Sequence, residues 1–431
     1  MKIKYTSLFL IITLTILSFS QAFAESEGDD IYEDGMADTK TQSSDYKYKS
    51  NKNYEGKSKY PNIKGKILAE YYVDVLDNSE NKVKSGDSLT NSYLKLKTNF
   101  KANITKNIYA ETDWYLRPVN GRLYSGDHYA KNNSYVVGDS TNSDFYGKED
   151  YIERGFQLSS YGLGIETLNL NYKNSNLAFG LGKINPTFGS AFDDSRFAGV
   201  YGTLLPEEYK LTEKIGGYIS AIFPFGTLRF NSFFDDTTSL SKTAFNDRGR
   251  DNSHGGAGNT EKLNNFSLTF DAKFNDLKLN FGYRQLDTKY SNEDTERGYV
   301  AGAEYLFDLG YNVTFLPFAE LTYLNNFDGM KDRNMTYFTT LLPVIYENWH
   351  FIASSTTKFD DEKGYGNYTS FLNQLSVGYN FDCGLMIDVA KVWERYVRKA
   401  DDFDNVDSDN GHKWVKHQDS WAFRVSYLYK F

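Results

Sequence analysis

The chain reads as an all-β protein, a transmembrane antiparallel β-barrel of about sixteen strands with short turns on one rim and long loops on the other. Three observations predict it. The polypeptide opens with an export signal, yet beyond that signal no apolar run approaches the eighteen or so residues of a membrane helix. It is 24% charged and also 17% aromatic, with 35 Tyr and 32 Phe. Its length is divided into segments of about ten to fourteen residues, enough for a tilted strand to cross a bilayer, in which apolar and polar residues alternate.

The first 24 residues, MKIKYTSLFLIITLTILSFSQAFA, carry Lys2 and Lys4, an apolar stretch from Leu8 to Phe19, and the small-residue site Ala22-Phe23-Ala24. That is the layout of a secretory signal cleaved after Ala24, with an apolar core too short for an anchor. Residues 25–62 run from acidic (ESEGDDIYEDGMAD) to rich in lysine and tyrosine (YKYKSNKNYEGKSKY) without periodicity. They are expected to be a disordered periplasmic extension. The barrel is expected over 63–431.

Successive side chains of a strand point to opposite faces. In Ile63–Leu76, Ile67, Ala69, Tyr71, Val73 and Val75 share one face, against Lys64, Lys66, Glu70, Tyr72 and Asp74. Leu94, Leu96 and Phe100 likewise oppose Lys95, Lys97, Asn99 and Lys101. In the next run Ile108, Ala110, Trp114 and Leu116 oppose Tyr109, Glu111, Asp113 and Tyr115. Twelve further runs begin near Leu163, Asn176, Thr212, Gly226, Lys262, Leu277, Gly298, Tyr311, Asn334, Asn348, Tyr368 and Gly384, the register slipping near Leu163, Lys183 and Lys391. The chain ends in SWAFRVSYLYKF, where Trp421, Phe423, Val425, Tyr427, Tyr429 and Phe431 alternate with Ala422, Arg424, Ser426, Leu428 and Lys430.

The connections alternate in length. ITK (104–106), KNS (173–175), PF (224–225), FND (274–276), DLG (308–310), YE (346–347) and FDC (381–383) are short, and longer polar stretches lie between them. An even strand count with short turns on one rim puts both chain ends on the periplasmic side. In lipid no strand edge can stay unpaired, so the sheet must close. Five of the seven prolines fall in connections, as strand pairing requires. Pro317 and Pro343 do not, and predict bulges or shifted boundaries.

From its C-terminal strand and this organisation, the chain from Ile63 to Phe431 resembles the Gram-negative outer-membrane porins of the sixteen-stranded, general-diffusion kind. Phe423, Tyr427, Tyr429 and Phe431 match the family's terminal signal for the barrel-assembly machinery. GKINPTFGSAFDD (182–194) resembles the approach to a porin's third loop, which folds inward and narrows the pore. The resemblance implies a homotrimer in outer-membrane lipid and lipopolysaccharide, passing small polar solutes.

A barrel of this size leaves an aqueous channel, and charges in the lumen set its selectivity. The long connection 185–211 is expected to fold inward and to carry the acids of a constriction: Asp193, Asp194, Glu207 and Glu208. Lys64, Lys66, Lys95, Lys97, Lys101, Arg424 and Lys430 are expected to form the basic wall, because a lysine facing midplane lipid costs about 2–4 kcal/mol. Overall the chain holds 48 basic against 57 acidic residues, a net charge of −9. That balance argues against nucleic acid as a partner and leans toward cation preference, although lining charge outweighs net charge.

Enzyme chemistry finds no support. The five histidines are scattered, and no G-x-S-x-G, H-E-x-x-H or paired Cys/His spacing occurs. No cofactor or metal is expected; His412 and His417 in GHKWVKH form only a weak metal pair. The single cysteine, Cys383, excludes internal disulfides. Two alternatives stay open: a substrate-specific outer-membrane transporter, and a surface adhesin or antigen barrel binding through its long loops.

Overall fold

The computed structural model describes residues 60–79, 90–118, 161–193, 197–245, 255–362, 366–399 and 414–431. The signal expected over 1–24 and nearly all of the extension expected over 25–62 lie outside the described residues, as does most of the long connection after β3. One compact unit takes in Pro61–Phe431.

Eighteen strand segments succeed one another. The first nine are β1 (Asn62–Ser79), β2 (Thr90–Asn103), β3 (Ile108–Pro118), β4 (Tyr161–Lys173), β5 (Leu177–Ile184), β6 (Lys214–Phe223), β7 (Gly226–Asp235), β8 (Asn265–Phe274) and β9 (Leu277–Leu286). Then come β10 (Glu296–Tyr305), β11 (Phe307–Gly310), β12 (Val313–Phe315), β13 (Phe318–Asn325) and β14 (Arg333–Tyr346). The last four are β15 (Trp349–Glu362), β16 (Gly366–Asn380), β17 (Leu385–Lys399) and β18 (Trp414–Lys430). Neighbours pair antiparallel throughout. β10 pairs with β13, and the small β11/β12 hairpin prolongs that pair toward the short-turn rim. β18 returns to pair with β1. The result is a closed barrel of sixteen walls, with no α-helix among the described residues.

The prolines that broke the alternation meet at one interruption. The β13/β14 ladder stops at Phe318↔Leu341 and the β12/β14 ladder resumes at Phe315↔Val344. Pro317 and Pro343 sit in the gap, where a missing N–H costs least. At the next turn Tyr311 and Asn312 both have positive φ, 50° and 63°, the backbone of a two-residue hairpin loop. The slip near Lys183 has a different cause. Gly182 has φ 137°, and a Cβ there would stand 2.3 Å from the Leu168 carbonyl oxygen. Only glycine fits, and the kink turns Lys183 from the outer face into the interior. Lys391 stays outside, its ammonium 5.2 Å from the centre of the Trp421 ring.

Outward positions are apolar: Leu170, Leu181, Ile219, Phe230, Phe281, Leu321, Phe351 and Leu375 are all exposed. Aromatic rings gather near the short turns, with Trp349 against Tyr379 at 4.9 Å and Phe223 against Phe225 at 5.6 Å. A second group (Phe266, Tyr283, Tyr299) lies toward the long loops. An apolar band between two aromatic belts is the outer surface of a membrane-spanning barrel. Inward positions are polar and buried, among them Asn231, Ser267, Thr322, Thr356 and Gln374.

Candidate functional site: a loop across the lumen

The segment between β5 and β6 does not run over the rim. Its two stems are tied together where they leave the wall: the Glu213 amide donates to Asn185 Oδ1 at 2.9 Å, and Asn185 Nδ2 donates to Glu166 at 2.7 Å. Lys183, fully buried, braces the stem with Nζ 2.9 Å from Asp236 and 3.2 Å from Glu213.

From there the chain follows the inner face of the far wall. Phe188 packs beneath the Arg284 guanidinium of β9, 4.6 Å from ring centre to Cζ. Glu320 of β13 is the main anchor. Its carboxylate accepts from the Ser190 amide (2.6 Å), the Ser190 hydroxyl (3.0 Å), the Ala191 amide (3.2 Å) and the Tyr209 hydroxyl (2.6 Å). Burial, reinforced by the Glu320 charge, raises the Tyr209 pKa well above its ordinary value, so the phenol stays a donor. Phe197 lies against His350 of β15. Gln374 of β16 then clamps the backbone, accepting from the Tyr201 amide at 2.7 Å and donating to the Ala198 carbonyl at 2.9 Å.

At Tyr201 the loop reaches the wall formed by β1 and β2. The hydroxyl donates to Asp74 at 2.5 Å and accepts from Tyr93 at 2.9 Å, beside the stacked rings of Tyr72 and Tyr93 (4.7 Å). The return passes through the 3₁₀ turn Pro206–Tyr209. Glu208 receives Lys358 Nζ at 2.6 Å and the Tyr337 hydroxyl at 2.7 Å, while the Tyr209 carbonyl accepts from Arg284 at 2.6 Å. The loop therefore spans the interior between β9–β16 and β1–β2.

The residues singled out from the sequence fall into three groups. Glu207 and Lys95 face each other closely enough to interact electrostatically, with the Lys95 ammonium 5.0 and 5.6 Å from the Tyr72 and Tyr93 ring centres. Lys64, Lys66, Lys97, Lys101 and Lys430 share the inward parity of Lys95; Lys64 sits opposite Lys101 and Lys66 opposite Lys430 in the ladders. The others are engaged or hidden. Glu208 pairs across to Lys358, and Arg424 is held by Asp388 at 3.0 Å with Glu70 at 3.8 Å. Asp193 is buried, its amide on the Ser190 carbonyl, and Asp194 lies outside the described residues. Phe423 and Tyr427 are exposed on the outer face, and Phe431 stacks with Tyr429 at 5.9 Å. Sequence reasoning missed Glu320, Gln374, Arg284 and Lys358, the groups that hold the loop.

A closed sixteen-walled barrel, apolar outside, polar inside and crossed by its third long connection, has the architecture of an outer-membrane porin. No family model matches the chain, and no curated protein matches it. Solved structures do. The outer-membrane channel DcaP of Acinetobacter baumannii is similar over 85% of this chain and 96% of that one, at 10% identity and a TM-score of 0.49. OmpT, an outer-membrane protein of Vibrio cholerae, covers 86% and 99% at 10% identity with a TM-score of 0.48. OpdK of Pseudomonas aeruginosa, crystallised with vanillate, covers 86% and 99% at 12% identity with a TM-score of 0.45.

Proposed function

We propose that the protein is a water-filled channel of the bacterial outer membrane for passive diffusion of small polar solutes and ions, with no catalytic role. The observation that carries this reading is the loop 185–211, which is anchored on the far wall by Glu320 and Gln374 and presents Glu207 to Lys95. An acid on the loop facing lysines on the wall sets a transverse field across the narrowest passage, and low-dielectric walls focus it. Small hydrated polar solutes pass such a slot, while bulky apolar ones are turned back because they displace the water that solvates its charges and offer no polar contact in its place. The signal peptide, assembly by the barrel-assembly machinery through Phe431, a homotrimeric state and lipopolysaccharide contacts belong to the same reading.

Purified protein in planar bilayers tests it. Discrete steps of steady conductance at low voltage are the expected result; a folded, inserted barrel that passes no current would favour an adhesin role and overturn the proposal. A specific transporter would instead show saturation by a single solute class in liposome-swelling assays.

A further inference from the structure

We propose that Lys64, Lys66, Lys101 and Lys430 form an anion-binding site at the short-turn end of the lumen, one that makes the channel anion-preferring and takes small multiply charged oxyanions of the phosphate class. The proposal rests on the channel reading above.

The four side chains belong to three consecutive walls, β18, β1 and β2. All point inward, because Ile63, Tyr71 and Phe431, at alternate positions of the same strands, are exposed on the outer face. They occur as two like-charged pairs directly opposite each other, Lys64↔Lys101 and Lys66↔Lys430. Like charges in register destabilise a sheet. With neighbouring strands about 4.8 Å apart and alternate residues about 7 Å apart, the four side chains share one patch of the inner wall.

Among the described residues, no ion pair or hydrogen bond joins any of the four to a carboxylate. Several interior cations elsewhere are matched by acids: Lys183 to Asp236, Lys278 to Glu304, Arg284 to Glu296, Arg333 to Asp360, Lys358 to Glu208 and Arg424 to Asp388, while Arg229 lies on Ser220 and the Tyr218 ring. The acids that come nearest are turned to other work. Glu111, opposite Lys101 in the ladder, and Asp113 both accept from Asn99, at 2.9 and 2.7 Å. Lys101 instead rests 4.0 Å from the centre of the Tyr109 ring, which steadies the ammonium without cancelling its charge. Four lysines gathered on one inward patch, with Glu111 as the one acid opposite them in the ladders, present a positive potential to whatever leaves the constriction. The acidic net charge of the chain does not offset it, because the field inside a low-dielectric tube is set by the charges that line it.

The experiment uses the full-length purified protein in planar bilayers, with heat-modifiable gel mobility as the check on folding. Three proteins are compared: wild type, a quadruple Lys→Gln variant at 64, 66, 101 and 430, and the quadruple Lys→Arg variant. In a KCl gradient the wild type is expected to favour chloride. Removing a potential of about one kT should lower the chloride-to-potassium permeability ratio about sevenfold in the Gln variant and leave the Arg variant near wild type. Inorganic phosphate added on the short-turn side should reduce the chloride current of the wild type and the Arg variant, but not of the Gln variant. A cation-preferring wild type, an unchanged ratio in the Gln variant, or phosphate block that survives the four Gln substitutions overturns the site while the channel stands. A wild-type protein with no conductance overturns the channel reading itself.

Discussion

Replacing Glu320 by alanine should release the loop without unfolding the barrel. The carboxylate is buried and accepts four donors, two of them at 2.6 Å. A hydrogen bond to a charged acceptor contributes about 1.5–3 kcal/mol, so those two alone amount to about 3–6 kcal/mol. The lower end is the safer figure, because lumen water can reach donors once the loop lifts. About 3 kcal/mol multiplies the population of the released loop roughly a hundredfold. The ladders from β13 to β10 and β14 are backbone pairings and remain, so heat-modifiable mobility should be unchanged. Single-channel recordings should show higher conductance and more open-channel noise, and limited proteolysis should cut within 185–211. Glu320→Gln keeps the shape and part of the acceptor capacity, and should fall between the two. An alanine variant with wild-type conductance, noise and protease resistance would refute the assignment of Glu320 as the anchor.

Glu207→Gln should shift reversal potentials toward anions at low salt. The shift should fade toward 1 M salt, where the Debye length is about 3 Å, and an effect equal at both salts would point away from a field in the constriction. Deleting Phe431 should reduce folded, heat-modifiable protein in the membrane; normal levels would remove the terminal residue from assembly. The native thiol of Cys383, exposed in a short turn, should be closed to a membrane-impermeant maleimide on intact cells, whereas Leu263→Cys between β7 and β8 should label. The reverse pattern would invert the orientation.

Most of the architecture could be read from alternation because a barrel wall imposes a strict two-residue period with lipid on one side. The turn at 224–225 stands where the sequence puts it, the one read at 274–276 is a residue shorter because Phe274 ends β8, and the terminal strand keeps its faces to the last residue. Local exceptions were visible but not interpretable. Lys183 broke the period, yet only the φ of Gly182 shows that its side chain turns inward. Lys391 broke it as well and stays outside, over Trp421. The anchors of the loop were illegible for another reason. Glu320 and Gln374 are ordinary inward polar residues in their strands, and their partners at Ser190 and Tyr201 lie far off in the chain. Periodicity reports which face a side chain takes, not what crosses the lumen to meet it. Charge pairing was hidden for the same reason: Arg424 reads as a free wall cation until β17 brings Asp388 beside it.

The seam between β1 and β18 also governs timing. Phe431 exchanges both backbone hydrogen bonds with Gly65, at 2.9 and 3.0 Å, and its ring covers the place where a Cβ on residue 65 would stand. The contact that completes the cylinder joins the first strand to the last, so it cannot form until β18 has been synthesised. Until then the chain carries two raw sheet edges whose amides and carbonyls have no place in hydrocarbon. A ribosome that stalls one strand short leaves a polypeptide with no state of its own in the bilayer, and its fate passes to whatever holds unfolded chains in water.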